Sequence, residues 1–183
     1  MNLTKVSIIT VVYNNVEYIK NAIQSVLSQD YLNIEYIVID GNSNDGTISA
    51  IKEFEDQIDY FFSSSDKGIY DALNKGIEIS TGEIIGILHS DDLFIDTKVV
   101  SEMVSKLQSE DAEFIFSDLI IVNPETKKII RYYMANYFKP WMLRIGWVPP
   151  HPTVFMKKTI YDEFGDYSLD YEIASDFDYF LKI

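Results

Sequence analysis

The segment Gly-Ile-Leu-His-Ser-Asp-Asp at residues 86–92 runs from an apolar strand directly into two adjacent carboxylates. Two like charges side by side repel each other unless a cation neutralises them. In open α/β sheets, ligands bind beyond the carboxyl ends of the strands. The position of Asp91 and Asp92 therefore predicts a metal-binding rim that brings an anionic ligand to the sheet. A loop followed by a helix cap would use the same residue types, and it remains the alternative.

The chain before this segment alternates between buried strands and amphipathic helices. Apolar, β-branched runs at 6–12, 34–39 and 83–88 are typical of strands that are covered on both faces. Apolar residues recur at helical spacing over 19–27 and 69–77. This alternation predicts an α/β fold, a Rossmann-like and mostly parallel sheet flanked by helices. The same reasoning predicts a helix through 48–54, a short strand at 59–62, a helix over 99–107 that Asp96 caps, and a strand at 113–117.

The pattern changes after residue 118. Leu119–Val122 and Lys128–Tyr132 flank a turn, which predicts a hairpin. A strand at 153–156, a helix at 158–164 that Gly165 ends, and a helix over 172–183 follow. The chain stops at Ile183 without a helix-stop signal, so we expect the natural protein to continue.

Composition limits the classes of function. The 183 residues are 47% hydrophobic, include no cysteine and carry a net charge of −14. We therefore expect one domain without disulfides or thiolate metal sites. The negative charge disfavours nucleic acid as a partner, and it means that a bound diphosphate would need a divalent cation. Met1–Lys5 lacks the apolar region of a signal peptide and no run reaches membrane-spanning length, which predicts a cytoplasmic protein.

The loop after the first strand lacks the glycines that nucleotide-binding folds use to hold phosphate. Tyr13-Asn14-Asn15 follows that strand, and the first glycine of the chain is Gly41. No Gly-x-x-x-x-Gly-Lys-Ser/Thr run exists either. A dinucleotide-binding turn and a P-loop are therefore excluded. Side chains and a metal ion would have to hold any phosphate.

Further polar and aromatic side chains follow the predicted strands and are candidates for contacts with a nucleotide. Tyr13 would stack on a base or ribose, or plug the end of the sheet. Asp40 would accept a hydrogen bond from a base or ribose hydroxyl, or cap the turn that follows. Asp66 and Lys67 form a loop in which Lys67 would reach a phosphate, or in which the two form a solvated pair.

Four segments of the chain together resemble the family 2 glycosyltransferases, which have the A-type glycosyltransferase fold. They are VSIITVVYNN at 6–15, YIVIDGNSNDGT at 36–47, DKGIYDALNKGI at 66–77 and TGEIIGILHSDD at 81–92. The third segment is similar to bacterial members that build cell-surface polysaccharides. The sequence departs from many relatives at Gly41, where they carry a second acidic residue.

The resemblance implies an inverting transfer of a sugar from a nucleoside diphosphate sugar, UDP-linked, to a hydroxyl of a glycan or lipid-linked acceptor. Tyr13 and Asp40 match positions that hold the nucleoside, and Asp66 falls in a loop that often does. With Lys67 and Ser90 they form the expected donor-binding set. The expected location is the cytoplasm, with the inner face of the cell membrane as the alternative.

The resemblance also implies a metal site and a catalytic base. Ser90-Asp91-Asp92 matches the metal motif of the family, with Asp92 as the main ligand of Mn²⁺ or Mg²⁺ and Asp91 shared between metal and ribose. Segment 172–179 resembles the late helix that carries the base, and Asp176 falls on that position. We expect a single domain over 1–183, with a nucleotide-sugar-binding half at 1–118 and an acceptor and catalytic-base half at 119–183.

Three features of the second half allow two interpretations each. Asp176 and Asp178 point roughly 200° apart on a helix, so only one faces the site, unless both are surface acids. His151 contacts acceptor or diphosphate, or only packs in its loop. The aromatic stretch faces a sugar acceptor or a lipid surface, or belongs to the core, which is the commoner case; its members are Tyr132, Tyr133, Tyr137, Phe138, Trp141 and Trp147.

Three other functions compete with sugar transfer. A sugar-phosphate nucleotidyltransferase would need a glycine-rich, basic loop after the first strand, and Tyr13-Asn14-Asn15 supplies neither. A glycosidase would need two carboxylates across the sugar, which the adjacent Asp91 and Asp92 do not suggest. A non-catalytic nucleotide-sugar-binding module would use the same site without transfer. Nucleotide binding that depends on Mn²⁺ would support the transferase or the non-catalytic module, and failure to bind any nucleotide would exclude both.

Overall fold

The computed structural model describes residues 3–183, so the part of the signal-peptide prediction that concerns Met1 and Asn2 lies outside the described residues. The strands are β1 (Val6–Val12), β2 (Ile34–Asp40), β3 (Tyr60–Ser63), β4 (Ile84–Ile87), β5 (Phe114–Ile115), β6 (Leu119–Val122), β7 (Ile129–Tyr133) and β8 (Phe155–Lys157). The helices are α1 (Ile19–Leu27), α2 (Thr47–Lys52), α3 (Ile69–Ile79), α4 (Val99–Ser109), α5 (Lys158–Phe164) and α6 (Ser175–Lys182). Short 3-10 helices lie at Glu55–Gln57, Pro140–Ile145 and His151–Thr153. Within residues 3–183, no helix has the length and apolar character needed to span a membrane.

Six strands form one sheet in the order β3-β2-β1-β4-β8-β5. The first four in that order run parallel, and β8 runs antiparallel to both β4 and β5. The predicted mostly parallel sheet is confirmed. The register pairs Val12 with Asp40, and Asp40 with Ser63. The carboxyl ends of β1, β2 and β3 therefore meet at one edge.

Helices cover both faces of the sheet, which explains why β1 is apolar at nearly every position. Ile8 and Val12 face one core layer, which contains residues of α1, α2 and α4. Ile9 and Val11 face the other, which contains residues of α3, α5 and α6. Helix α3 lies so close to the sheet that a Cβ at Gly76 would stand 2.5 Å from Ile9 Cγ2. A period of two thus places consecutive β1 side chains in two separate apolar layers.

Several predicted element boundaries are wrong by two residues or more. Strand β8 begins at Phe155 rather than at residue 153, because Thr153 belongs to a 3-10 helix. Helix α2 ends at Lys52, two residues before the predicted end. Strand β5 contains only Phe114 and Ile115. Helix α6 begins at Ser175 rather than residue 172, because Ala174 adopts a left-handed conformation with φ +72° that a helix cannot include.

Two predicted helix details also differ. Asp96 does not occupy the cap position of α4, which is Lys98; its carboxylate instead accepts the Lys98 backbone N–H. The buried side of α6 holds Tyr179 and Phe180. Leu181, which was predicted to lie on the apolar side of this helix, is exposed.

The predicted hairpin is confirmed as a separate two-stranded sheet of β6 and β7. The interpretation of the aromatic stretch as core is wrong. Tyr132, Tyr137 and Trp141 are each more than half exposed. The half-buried Phe138 and Trp147 stack on each other with ring centroids 5.1 Å apart. These rings form a surface cluster rather than part of the two core layers.

Candidate active site

A cavity of about 420 Å³ opens at the carboxyl edge of the sheet. Its walls come from the end of β1, the loop and first turns of α3, the segment after β4 and the 3-10 helix at His151. Four of the eight predicted site residues line it: Tyr13, Asp66, Ser90 and Asp91. His89 and His151 line it as well. The cavity is therefore polar at the rim and is built from segments distant in sequence.

Gly41 allows Asp66 and Tyr13 to approach each other at the cavity wall. A Cβ at position 41 would lie 2.7 Å from Asp66 Oδ2 and 3.2 Å from Tyr13 Cδ2. Asp66 is held in place because its Oδ1 accepts the Gly68 N–H at 2.9 Å. Tyr13 is 65% exposed, so its ring is not a plug for the end of the sheet. A side chain at position 41 would displace Asp66.

Asp40 does not line the cavity. It is fully buried, and its carboxylate accepts hydrogen bonds from the Ser43 backbone N–H, the Ser43 hydroxyl and the Ser63 hydroxyl. These contacts hold the turn after β2 and join it to β3. The structure therefore corresponds to the turn-capping alternative, and the expected contact from Asp40 to a nucleoside is not available in this arrangement.

Lys67 also stands apart from the cavity. Its side chain is exposed and is absent from the cavity wall, and its backbone N–H donates to Asp71 Oδ2 at 3.1 Å. The expected contact from Lys67 to a phosphate is therefore not supported by its position.

Asp91 and Asp92 follow β4 at the rim. Asp91 is exposed and lines the cavity, whereas Asp92 is partly buried. Burial, together with the charge of Asp91, raises the pKa of Asp92 to about 6. Ser90 is buried, and its hydroxyl accepts a hydrogen bond from Asn15 Nδ2 at 2.9 Å, which fixes the segment against the loop after β1.

The residues present fit a metal that takes part of its ligands from a substrate. Within residues 3–183, no cluster of three His, Asp, Glu or Cys side chains is arranged to hold a cation alone. Mg²⁺ and related ions are typically bound by one or two carboxylates together with substrate phosphates. The raised pKa of Asp92 indicates a site that favours a neutralising cation. Asp91 and Asp92 meet that requirement.

Asp176 lies in the first turn of α6, where two side chains hold its carboxylate. The Tyr70 hydroxyl donates to Oδ1 at 2.9 Å, and His151 Nδ1 lies 3.1 Å from Oδ2. Burial alone would raise the pKa of Asp176, but its contacts with His151 and Tyr70 outweigh this and lower the pKa to about 2. The carboxylate is therefore ionised at neutral pH. Asp178 instead pairs with Lys182 at 2.7 Å.

Sequence reasoning missed His89 and Tyr70. The His89 ring is buried, and its Nε2 lies 2.8 Å from His151 Nε2. Burial, reinforced by His151, lowers the pKa of His89 to about 4. His151 therefore contacts both Asp176 and His89, which neither of its two expected roles included. Two features of the sequence could have indicated His89. It lies directly before Ser90 in segment 86–92, and the chain has only two histidines.

A family model described as glycosyl transferase family 2 matches residues 7–170. The chain belongs to this family. An uncharacterized glycosyltransferase of Mycobacterium tuberculosis is 30% identical over 182 residues, covering 97% of this chain and 68% of the relative. One from Haemophilus influenzae is 35% identical over 152 residues, covering 76% of this chain and 61% of the relative.

Solved structures show the fold of this family 2 glycosyltransferase chain. Staphylococcus aureus TarS 1-349, in complex with UDP-GlcNAc, superposes with a TM-score of 0.82 at 19% identity, covering 97% of this chain and 52% of TarS 1-349. The mannosyltransferase PcManGT of Pyrobaculum calidifontis, in complex with GDP-Man and Mn²⁺, gives a TM-score of 0.70 at 21% identity, covering 91% and 48%. The A-type glycosyltransferase fold is confirmed. The chain spans about half the length of these solved chains.

Proposed function

We propose that the chain forms the transferase core of an inverting enzyme. It would move a sugar from a nucleoside diphosphate sugar, UDP-linked, to a hydroxyl of a glycan or lipid-linked acceptor in cell-surface polysaccharide synthesis. Residues 1–118 would bind the donor, and 119–183 would bind the acceptor and supply the base. The observation that carries this proposal is the cavity edge, where Asp91 from the first half meets His151, which holds Asp176, from the second.

The donor would lie in the cavity beyond β1 and β4. Tyr13 offers an exposed ring to the base or ribose, and Asp66 and Ser90 offer polar atoms in the cavity wall. A volume of about 420 Å³ is within the range of sites that take small organic ligands. TarS binds UDP-GlcNAc and PcManGT binds GDP-Man, which supports a nucleotide sugar as the ligand class.

Asp92 and Asp91 would hold Mn²⁺ or Mg²⁺ together with the donor diphosphate. When bound, such an ion acts as a Lewis acid that stabilises the negative charge of the departing diphosphate. The PcManGT structure, which contains Mn²⁺, supports this choice of ion.

Asp176 would accept the proton of the acceptor hydroxyl as that oxygen bonds to the sugar carbon. A single displacement from the face opposite the diphosphate inverts the configuration at that carbon. The carboxylate is ionised at neutral pH, and about 15% of the side chain is exposed. The acceptor hydroxyl becomes acidic only as its new bond forms, so a carboxylate of low basicity suffices late in the transfer.

Calorimetry with UDP and GDP, with and without Mn²⁺, tests the donor site. We expect UDP to bind in the presence of Mn²⁺, and we expect Asp92→Asn to weaken that binding at least tenfold. Asp178→Asn, which also removes one carboxylate, serves as the matched control and should bind as the parent does. Failure of every nucleoside diphosphate to bind would contradict the donor proposal. Binding without transfer to any acceptor would favour the non-catalytic module.

We also propose that the surface formed by residues 119–147 contacts an anionic membrane, at the inner face of the cell membrane. These residues carry five basic side chains and one acidic one, a net charge of +4, within a chain of net charge −14. Exposed apolar and aromatic side chains lie among them: Ile129, Ile130, Tyr137, Trp141 and Ile145. Basic residues beside exposed aromatic and aliphatic ones are typical of surfaces that bind anionic lipid.

Co-sedimentation with vesicles tests this surface. We expect binding to vesicles that contain phosphatidylglycerol and not to pure phosphatidylcholine, because charge complementarity supplies the attraction. Lys128→Glu with Lys139→Glu should abolish binding. Lys52→Glu with Lys98→Glu makes the same change of charge elsewhere and should retain it. Equal binding to both vesicle types, or self-association through this surface without vesicle binding, would contradict the proposal.

A further inference from the structure

Four side chains form a continuous hydrogen-bonded network, and two of them, His89 and His151, line the cavity. Tyr70 and His151 hold the two oxygens of Asp176, at 2.9 and 3.1 Å. His151 Nε2 in turn lies 2.8 Å from His89 Nε2, with the two rings edge to face at 70°. This hydrogen-bonded network therefore links the segment after β4 to the first turn of α6. His89 itself is two residues from Asp91, so it also belongs to the loop that carries the metal-binding carboxylates.

The contact between the two imidazoles requires one proton between their Nε2 atoms, and two arrangements with a neutral His89 supply it. In the first, His89 donates from Nε2, and His151 is a neutral ring that donates from Nδ1 to Asp176. In the second, His151 is protonated on both nitrogens and donates to His89, which then carries its own proton on Nδ1. The two differ in the proton on His89 Nδ1 and in the charge beside Asp176.

The surroundings of His89 favour the first arrangement. His89 Nδ1 is buried and has no hydrogen-bond partner among residues 3–183. The second arrangement would leave a buried N–H donor without an acceptor, which is rarer in proteins than a buried acceptor without a donor. In the first arrangement no cation stands next to Asp176, so the carboxylate stays a stronger proton acceptor than it would be beside a protonated His151.

We propose that His89 is a positioning residue for the base. It donates from Nε2 to His151, fixes His151 as the Nδ1–H tautomer, and so aims a single neutral donor at Asp176. Tyr70 holds the other carboxylate oxygen. The orientation of Asp176 is thereby tied to the loop that carries Asp91 and Asp92. This role rests on the proposed function of Asp176 as the base.

The chain contains only two histidines, so nuclear magnetic resonance can read both tautomers directly. With ¹⁵N-labelled histidine at pH 7.5, long-range ¹H–¹⁵N correlations distinguish a protonated ring nitrogen from a bare one. We expect His151 to be neutral with its proton on Nδ1, and His89 to be neutral with its proton on Nε2. A doubly protonated His151, or a His151 protonated on Nε2 alone, overturns the proposal. This measurement needs no variant and no activity.

Variants then test the positioning role. His89→Leu removes the donor to His151, so the His151 signals should shift to a mixture of tautomers. We expect kcat to fall about tenfold or more, with a much smaller change in the donor KM, because the main loss is the orientation of the base. His89→Gln restores a donor and should recover part of kcat. Ile160→Val is the control. It changes a buried side chain in the core layer that also contains Tyr70, and it leaves the four hydrogen-bonded side chains intact, so both kcat and the tautomers should stay unchanged.

The possible outcomes separate this role from the proposed function. Shifted tautomers with unchanged kcat in His89→Leu overturn the positioning role. Full turnover in Asp176→Asn overturns the assignment of Asp176 as the base. The tautomers are measured on the unchanged chain, so they do not depend on that outcome. The predicted tautomers, with a drop in kcat that Gln partly rescues, support both.

Discussion

We expect Asp92 to destabilise the metal-free chain at neutral pH. Burial and the neighbouring Asp91 raise its pKa from 3.8 to about 6 in the folded state. Between these two values the folded chain binds more protons than the unfolded chain, so this contribution to stability is present at low pH and is lost as the pH rises through about 6. At pH 7 the carboxylate is charged in a site that disfavours charge. A bound cation removes that penalty.

Replacing Asp92 should therefore stabilise the chain in the absence of metal. For Asp92→Asn we expect a gain of about 2 kcal/mol at pH 7, or about 6 °C in Tm, and little gain near pH 3, below both pKa values. Thermal unfolding followed by circular dichroism in EDTA checks this. Asp111→Asn removes an exposed carboxylate at a left-handed position that Asn tolerates, and it controls for net charge. A lower Tm for Asp92→Asn than for that control at pH 7 would refute the account.

Single residues at the site were the least predictable part of the chain. Tyr13, Asp66 and Asp91, which line the cavity, were predicted because strand ends are visible in the sequence and meet at one edge of the sheet, whereas Ser90 was predicted from the family resemblance. Asp40 ends its strand in the same way, yet Ser43 and Ser63 occupy its oxygens. Only the folded turn shows which carboxylates are free to bind a ligand and which are occupied by hydrogen bonds within the protein.

At the scale of elements, one buried carboxylate joins three segments at the opposite edge of the sheet. Glu35, in β2, is 2% exposed and accepts hydrogen bonds from Lys5, from Ser7 in β1 and from Thr81, which precedes β4. Burial alone would raise its pKa, but these donors outweigh it and lower the pKa to about 2. Its contribution to stability is therefore present above about pH 4.5 and lost as the pH falls through about 2.

Removing Glu35 should destabilise the fold without affecting the cavity. We expect Glu35→Ala to lower the free energy of unfolding by about 2–3 kcal/mol, because Ser7 and Thr81 lose a buried acceptor. Urea unfolding at pH 7 measures the change. Glu53→Ala breaks an exposed pair with Lys20 and should cost less than about 1 kcal/mol. A cost for Glu35→Ala no larger than that of Glu53→Ala would disprove this assignment.

Elements were predicted best where the hydrophobic period is long and regular. Strand β1 and helices α1 and α3 match their predicted positions because each has an apolar face set by its own period. The start of α6 was not predictable, since the left-handed Ala174 leaves no mark in an apolar pattern. Short β5 was overestimated for a related reason: pairing with β8 limits it, and that pairing is non-local.

At the scale of the whole molecule, charge is separated along the chain. Residues 119–147 are net positive, although the chain as a whole carries −14. The composition that disfavours nucleic acid therefore conceals a net positive segment at residues 119–147. The sequence predicted the fold class and the family, but the aromatic stretch looked like core, because composition alone does not distinguish a buried ring from an exposed one.

The fold brings two halves of the chain together at one edge of the sheet. Asp91 and Asp92 follow β4, and Asp176 starts α6, some 85 residues later in the sequence. His89 and His151 connect the two positions. Under the proposed function, the first half would hold the donor at this meeting point, and Asp176 would accept the proton.

Comparing Asp176→Asn with Asp178→Asn tests that claim most directly. The two substitutions remove equivalent carboxylates from the same helix, but only Asp176 contacts His151 and Tyr70, while Asp178 pairs with Lys182. Transfer from a UDP-sugar and the dissociation constant of UDP with Mn²⁺ would be measured for both. We predict that Asp176→Asn lowers kcat by about 10²–10⁴-fold with UDP binding unchanged, and that Asp178→Asn retains transfer. Near-normal turnover in Asp176→Asn would contradict the account.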